Sequence, residues 1–354
     1  MLNKLSLSSL IATILTAFLL GCGSSQVKNI VERCVPVSQI SDNDYTKKLK
    51  NECYSGSVLI AKDGVVIFEG GFGLLNREKN IKNKTETVYR IASLTKQLTA
   101  AAIMILHERQ LLDIDEPIGT YLADYPNGDV ITARHLLNHT AGIPNYDKIP
   151  AIYENVNTDM TPEVLVGHFK DLPLEFTPGS QFAYSNSGYS LLGLLIETVY
   201  GTTYAQAMEQ LIFNPLSMYH SGYGPSDIVA ADQAVGYMQN GKKPRRISMT
   251  IPYSAGALIS SVDDLHRWER SFYSNALLSE ASKAEIFKPA INGYGFGWMT
   301  RQNPTTHAHS GGIEGFSSFI KRYPEEGVVV ILLSNVGGLE LGILAHELYQ
   351  IYRS

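Results

Sequence analysis

Ser93-Leu94-Thr95-Lys96 is the stretch of this 354-residue chain whose residue types and spacing best suit covalent chemistry. A serine hydroxyl is a poor nucleophile near neutral pH and needs a base within hydrogen-bond reach. Residues three apart share a helical face, so Lys96 would lie beside Ser93 if the segment is helical. The run from Ser93 to Leu112 contains no Gly or Pro, and its apolar residues at 94, 98, 101, 102 and 105 follow helical spacing. Ile103, Met104 and Leu106 fill the other sides, which predicts a helix buried nearly all round. Its N-terminus would add N–H donors and a partial positive charge near the serine oxygen. Ser-x-x-Lys is a weak pattern alone, and two further copies occur. Ser25 to Lys28 falls in a polar stretch that fixes nothing; Ser318 to Lys321 falls in a predicted strand, where an odd offset sends the side chains to opposite faces.

Two further signals accompany it. Tyr184-Ser185-Asn186 precedes an apolar helical run, Tyr189 to Val199, although Tyr-x-Asn also occurs at Tyr125, Tyr153 and Tyr273. His309-Ser310-Gly311-Gly312 enters a late strand, with a competing His220-Ser221-Gly222 in a loop. The chain has no Gly-x-Ser-x-Gly elbow, Cys-x-x-Cys, His-Glu-x-x-His or phosphate-cradling Gly-x-x-x-x-Gly-Lys. His307 and His309 could share a strand face as the start of a metal site, but no third ligand accompanies them, so no metal and no cofactor are expected.

The elements that must position these residues lie at both ends of the chain. Gly56 to Ala61 and Val65 to Gly70 read as strands joined through Lys62-Asp63-Gly64. Strand signals return at Tyr294 to Met299, His307 to Gly311, Phe316 to Arg322 and Val328 to Leu333; residues 338 to 352 read as a closing helix. Strands at both ends with helices between predict an α+β protein (an α/β sandwich), its antiparallel sheet built from about 45–90 and 290–354 and a helical part from about 91–289 inserted. The basic cluster Lys242, Lys243, Arg245 and Arg246 reads as a solvated loop.

Thirty-four acidic and 29 basic side chains give a net charge of -5, which with no long basic run argues against a nucleic-acid partner. With 44% hydrophobic residues the chain can build a core without disulfides or metal. Residues 1–21 read as an export signal: Lys4, an apolar stretch from Leu10 to Leu20, then Gly21-Cys22. Leu19-Leu20-Gly21-Cys22 resembles the bacterial lipoprotein box, which implies acyl chains on Cys22, a polar tether over 22–44, and an exported protein held at a membrane of the cell envelope. Export would allow Cys34 and Cys53 to pair, closing a loop of roughly 20 residues with a contribution of about 3 kcal/mol.

Taken in order, Ser93-x-x-Lys96, Tyr184-x-Asn186 and His309-Ser310-Gly311 resemble the active-site elements of the penicillin-recognising serine hydrolases, in the branch of class C β-lactamases, D-alanyl-D-alanine carboxypeptidases and esterases. Leu136-Leu-Asn-His-Thr-Ala-Gly-Ile-Pro144, Pro178 to Tyr189, Ala255 to Leu265, Tyr294-Gly-Phe-Gly-Trp298 and Gly312-Ile-Glu-Gly-Phe316 look like the same family, over about residues 45–350. The resemblance implies the β-lactamase/DD-peptidase-like fold and attack by Ser93 Oγ on a carbonyl to give an acyl-enzyme. Lys96 or Tyr184 would be the base; Asn186 would orient Lys96 and meet the substrate amide; the N–H groups of Ser93 and Gly312 would form the oxyanion hole, with Ser310 and Gly311 on the substrate-binding strand. Class C β-lactamases typically carry Lys at the place of His309. Histidine is only partly charged near neutral pH and would hold a carboxylate more weakly, which favours a D-alanyl peptidase or esterase over a lactamase acting on small-molecule, peptide or peptidoglycan substrates. The alternative is a non-catalytic penicillin- or peptidoglycan-binding lipoprotein, against which the intact Ser93, Lys96, Tyr184 and Asn186 weigh.

Overall fold

The computed structural model describes residues 43–224, 232–302 and 305–354. Residues 1–42, with the export signal, Cys22, Cys34 and nearly all of the expected tether, lie outside the described residues. Cys53 is disulfide-bonded, and the two other cysteines are among those not described. Among the described residues, no helix is long and apolar enough to cross a membrane.

One six-stranded antiparallel sheet organises the chain. Strands β1 (Gly56–Lys62) and β2 (Val65–Phe72) come from the N-terminal part, and β3 (Met299–Gln302), β4 (Thr305–Ile313), β5 (Phe316–Tyr323) and β6 (Val328–Ser334) from the C-terminal part. Their spatial order is β2-β1-β6-β5-β4-β3. The two chain ends meet where β1 pairs with β6, from Gly56 opposite Ser334 to Lys62 opposite Val328. The β1–β2 turn holds Asp63 at φ 51° and Gly64 at φ 83°, the left-handed pair of a two-residue hairpin.

Strand β6 is buried along its whole length because both sheet faces are covered. Side chains alternate between faces, so Val328, Val330 and Leu332 enter one core and Val329, Ile331 and Leu333 the other. The first core is closed by helices α1 (Asp44–Asn51) and α6 (Leu341–Arg353), through Leu49, Leu341, Leu344 and Leu348. Residues 44–51, which begin where the expected tether over 22–44 ends, form a helix anchored by Leu49. The second, larger core holds α2 (Thr95–Glu108), α3 (Asn186–Tyr200), α4 (Tyr253–Gly256) and α5 (Val262–Arg270).

Helix α2 is buried from Thr95 to Leu106, and its polar side chains find partners inside. Thr99 Oγ1 lies 2.7 Å from the Ser254 carbonyl, and Gln97 accepts a hydrogen bond from the Trp268 indole at 3.1 Å. The segment 294–298 departs from the expected strand: Gly293 and Gly297 take φ of 69° and 74°, and the chain bends before β3 begins at Met299. A side chain at Gly297 would strike the Gln97 backbone at 2.8 Å, so this bend seals the first turn of α2.

Candidate active site

Ser93 sits in a single 3-10 turn, Ala92–Leu94, that leads into α2, so the nucleophile candidate stands just before the helix and not within it. Ala92 adopts φ 48°, the left-handed region that a residue with a Cβ enters at a cost, which bends the chain sharply at the serine. Two neighbours hold the turn. The Ile91 N–H donates to Leu258 O at 3.0 Å, and the Ser318 hydroxyl on β5 donates to Ile91 O at 2.7 Å. That bond uses the hydroxyl of one competing Ser-x-x-Lys copy for structure.

Lys96 is 0% exposed. Its Nζ lies 2.7 Å from Asn186 Oδ1, 2.8 Å from Ala255 O and 3.1 Å from Ser93 Oγ. Burial pulls its pKa down to about 7, opposed by the negative charge of Asp147. Two of its three partners are carbonyl oxygens that can only accept. A neutral amine therefore gives its two N–H bonds to Asn186 and Ala255, and its lone pair faces Ser93, the one partner able to donate. The Tyr184 ring packs beneath, with Lys96 Nζ 4.9 Å from its centroid. Burial raises the Tyr184 pKa well above its usual range, and hydrogen bonding with Ser93 draws it back only in part. Between the two bases that the sequence leaves open, these environments favour Lys96 as the group that is unprotonated near neutrality.

Asn186 opens α3. Its backbone N–H donates to Asn145 Oδ1 at 3.1 Å, and its Nδ2 donates to Asp147 Oδ2 at 2.8 Å, which turns Oδ1 toward Lys96. Asn145 and Asp147 belong to a loop whose polar residues gave no sequence signal. The adjoining His139 ring lies 4.2 Å from the Tyr184 ring, and burial holds its pKa well below the ordinary value.

On the opposite wall, β4 has β5 on one side, while β3 pairs with Thr305 to Ala308, leaving residues 309–313 an open edge among the described residues, beside the Ser93 turn. Gly311 makes this approach possible: a Cβ there would meet Ile91 O at 2.6 Å and Ser93 N at 3.0 Å. Gly312, exposed on the same edge, lines the cleft with Ser93. Ser310 is exposed, whereas His309 is buried. The His309 Nδ1–H donates to Ser310 O at 2.6 Å and Nε2 accepts from the Tyr294 hydroxyl at 2.8 Å, a neutral tautomer with both nitrogens engaged. Burial and the nearby Lys96 lower its pKa to about 4. It therefore supports the strand and Tyr294 from within and presents no cation to a substrate, a stronger departure than the partial charge expected from sequence. His307 goes elsewhere, stacked on Phe287 at 3.9 Å.

The cleft above Ser93 measures about 320 Å³ and is lined by Ser93, Asn186, Gly312 and an apolar wall that includes Ile152, Val156 and Ile251. Arg245 also lines it, at the rim, while it and the neighbouring Lys242, Lys243 and Arg246 are exposed, as expected of a solvated loop. The Arg245 guanidinium donates to Glu314 at 3.1 Å and lies 4.6 Å above the Tyr153 ring.

Known proteins share the sequence pattern and the fold. The chain is 31% identical over 318 residues to "Penicillin-binding protein 4*" of Bacillus subtilis (strain 168), covering 80% of this chain and 68% of that protein. Among solved structures, a penicillin binding protein from Bacillus halodurans superposes with a TM-score of 0.78 at 26% identity, covering 87% of this chain and 99% of that one. A D-stereospecific amidohydrolase from Streptomyces sp. gives a TM-score of 0.68 at 25% identity, covering 80% and 90%. The family model described as Beta-lactamase matches residues 42–350, nearly the whole of the described chain, and on that match the protein belongs to the β-lactamase family.

Proposed function

We propose that the protein is a serine acyl hydrolase that cleaves amide or ester bonds through an acyl-enzyme on Ser93, with neutral Lys96 as general base. The observation that carries this reading is the arrangement around the amine: two carbonyl acceptors fix its N–H bonds and leave its lone pair to Ser93 Oγ at 3.1 Å. In acylation, Ser93 Oγ bonds to the substrate carbonyl carbon and its proton passes to Lys96. The carbonyl electron pair moves onto oxygen beside the N–H groups of Ser93 and Gly312. Collapse of the tetrahedral intermediate breaks the bond to the leaving amine or alcohol, which takes the proton back from Lys96, directly or through Tyr184. Water then repeats the sequence on the ester, and Ser93 is restored. Asn186 holds the amine and meets the substrate amide.

Within this class, D-alanyl peptidase and esterase activities rank ahead of β-lactamase, because the place of a carboxylate-binding Lys is taken by His309, held neutral. The alternative of a penicillin- or peptidoglycan-binding protein without turnover is weakened by the poised base where binding is non-covalent; covalent trapping of a penicillin on Ser93 would itself use that base. We place the protein outside the cytoplasmic membrane, tethered by lipid on Cys22. The test is turnover of p-nitrophenyl esters, a chromogenic cephalosporin and a D-alanyl-D-alanine peptide, beside Ser93→Ala. Turnover is expected to vanish in the variant; turnover that survives would remove Ser93 as nucleophile. Trapping of a fluorescent penicillin with no turnover of any of the three would favour the binding alternative.

A further inference from the structure

Fixed charges in the cleft decide which acyl donors Ser93 can hold. The groups that could meet a substrate carboxylate are each occupied or uncharged. Lys96 is buried, tied to Asn186 and Ala255, and titrates at about 7. His309 is neutral with both nitrogens bonded inside the protein. Arg245 is paired with Glu314 and stacked on Tyr153. On the other side of the ledger stands Asp147, an exposed carboxylate in the cleft wall next to Asn186. Its Oδ2 accepts from Asn186 at 2.8 Å and Asn145 at 3.2 Å, which fixes the group, whereas its Oδ1 has no hydrogen-bond partner among the described residues. With Glu314 offset by Arg245 and Lys96 buried behind Asn186, the negative charge presented to the cleft is that of Asp147.

Resting on the acyl-hydrolase reading above, we infer that Asp147 selects acyl donors bearing a free ammonium beside the scissile carbonyl: amides or esters of amino acids with an unblocked α-amino group and no neighbouring carboxylate. Asp147 is joined through the Asn186 amide to Lys96, whose amine touches Ser93 Oγ. The proposal sets a cation on the atom next to the reacting carbonyl at Oδ1, on the cleft side of Asn186, while the carbonyl lies against the serine. The apolar residues Ile152, Val156, Ile247 and Ile251 on the cleft wall suit an apolar amino-acid side chain. Asp147 is thus a specificity determinant as well as a support for Asn186.

The test uses the full-length chain at pH 7 with D- and L-phenylalanine p-nitroanilides, each as the free amine, the N-acetyl derivative and the N-succinyl derivative, the last bearing a carboxylate. For the preferred hand, kcat/KM is expected to be highest for the free amine, about tenfold above N-acetyl, with N-succinyl lowest. Asp147→Asn, which keeps an oxygen for the Asn186 amide, should bring the free-amine to N-acetyl ratio close to one, chiefly through KM. Glu314→Gln releases Arg245 and should raise the N-succinyl to N-acetyl ratio severalfold. Ser93-dependent release with no preference for the free amine, or an equal loss on all three substrates in Asp147→Asn, overturns the inference and leaves the acyl-hydrolase reading standing. Release that persists in Ser93→Ala overturns that reading instead; no release from any of the three removes both.

Discussion

The base assignment makes a quantitative demand on the pH profile of acylation. Lys96 must be neutral to take the Ser93 proton, and burial sets its pKa at about 7. Its neutral fraction is then about one-eleventh at pH 6, one-half at pH 7 and ten-elevenths at pH 8, so kcat/KM should rise about tenfold between pH 6 and 8 and level off above. A phenolate base would behave differently, because burial raises the Tyr184 pKa and places its limb on the far alkaline side. Asp147→Asn removes the one charge that raises the Lys96 pKa, so the limb should move to lower pH. The assay is kcat/KM for a p-nitrophenyl ester from pH 5 to 10, corrected for spontaneous hydrolysis, with an ester whose own groups do not titrate in that range. Activity flat from pH 5 upward, a single limb near pH 10, or a limb that moves to higher pH in Asp147→Asn would each refute the argument.

Other consequences are open to measurement. Tyr184→Phe should lower kcat while the limb near pH 7 stays in place; disappearance of the limb would transfer the base role to the phenol. Lys96→Met should abolish turnover and change the pH dependence of stability. The folded pKa of about 7 lies below the ordinary 10.5, so between these values the unfolded chain binds more protons and stability rises with pH, with the burial cost present in full below pH 7. Urea unfolding at pH 6 and 9 should therefore show a smaller difference in Lys96→Met than in the wild type. Gly311→Ala forces a Cβ against Ile91 O and Ser93 N, which should cost about 1–3 kcal/mol of stability and, by moving the Gly312 donor, about a hundredfold in kcat. Wild-type kcat in that variant would separate the strand edge from the reaction. Cys22→Ala should release the expressed protein from the membrane fraction; unchanged retention would refute the lipid anchor.

What the sequence made legible follows from the range of the forces involved. Ser93 and Lys96 could be paired on paper because helical spacing is local, and the α+β class could be read because strand and helix periodicities cluster along the chain. Residues 294–298 misled because their aromatics read as strand, while two left-handed glycines bend the backbone. Asp147 was invisible: an acid in a polar loop looks solvated until the fold sets it against Asn186. Arg245 does face water with the rest of its charge run; only its place on the cleft rim beside Glu314 needed the fold. For His309 the missing information was its partner, since the Tyr294 hydroxyl 2.8 Å away and the burial of both decide its charge.

The pairing of β1 with β6 brings together residues some 270 positions apart, and β4, which supplies one wall of the cleft, lies between β6 and the sheet edge through β5. A nascent chain that stops before Val328 carries Ser93 and Lys96 but leaves β1 without its inner neighbour and the β4–β5 wall without its link to β1. The proposed site is therefore completed only once β6 is in place, and a fragment lacking residues 328–354 is expected to be inert however well its helices form.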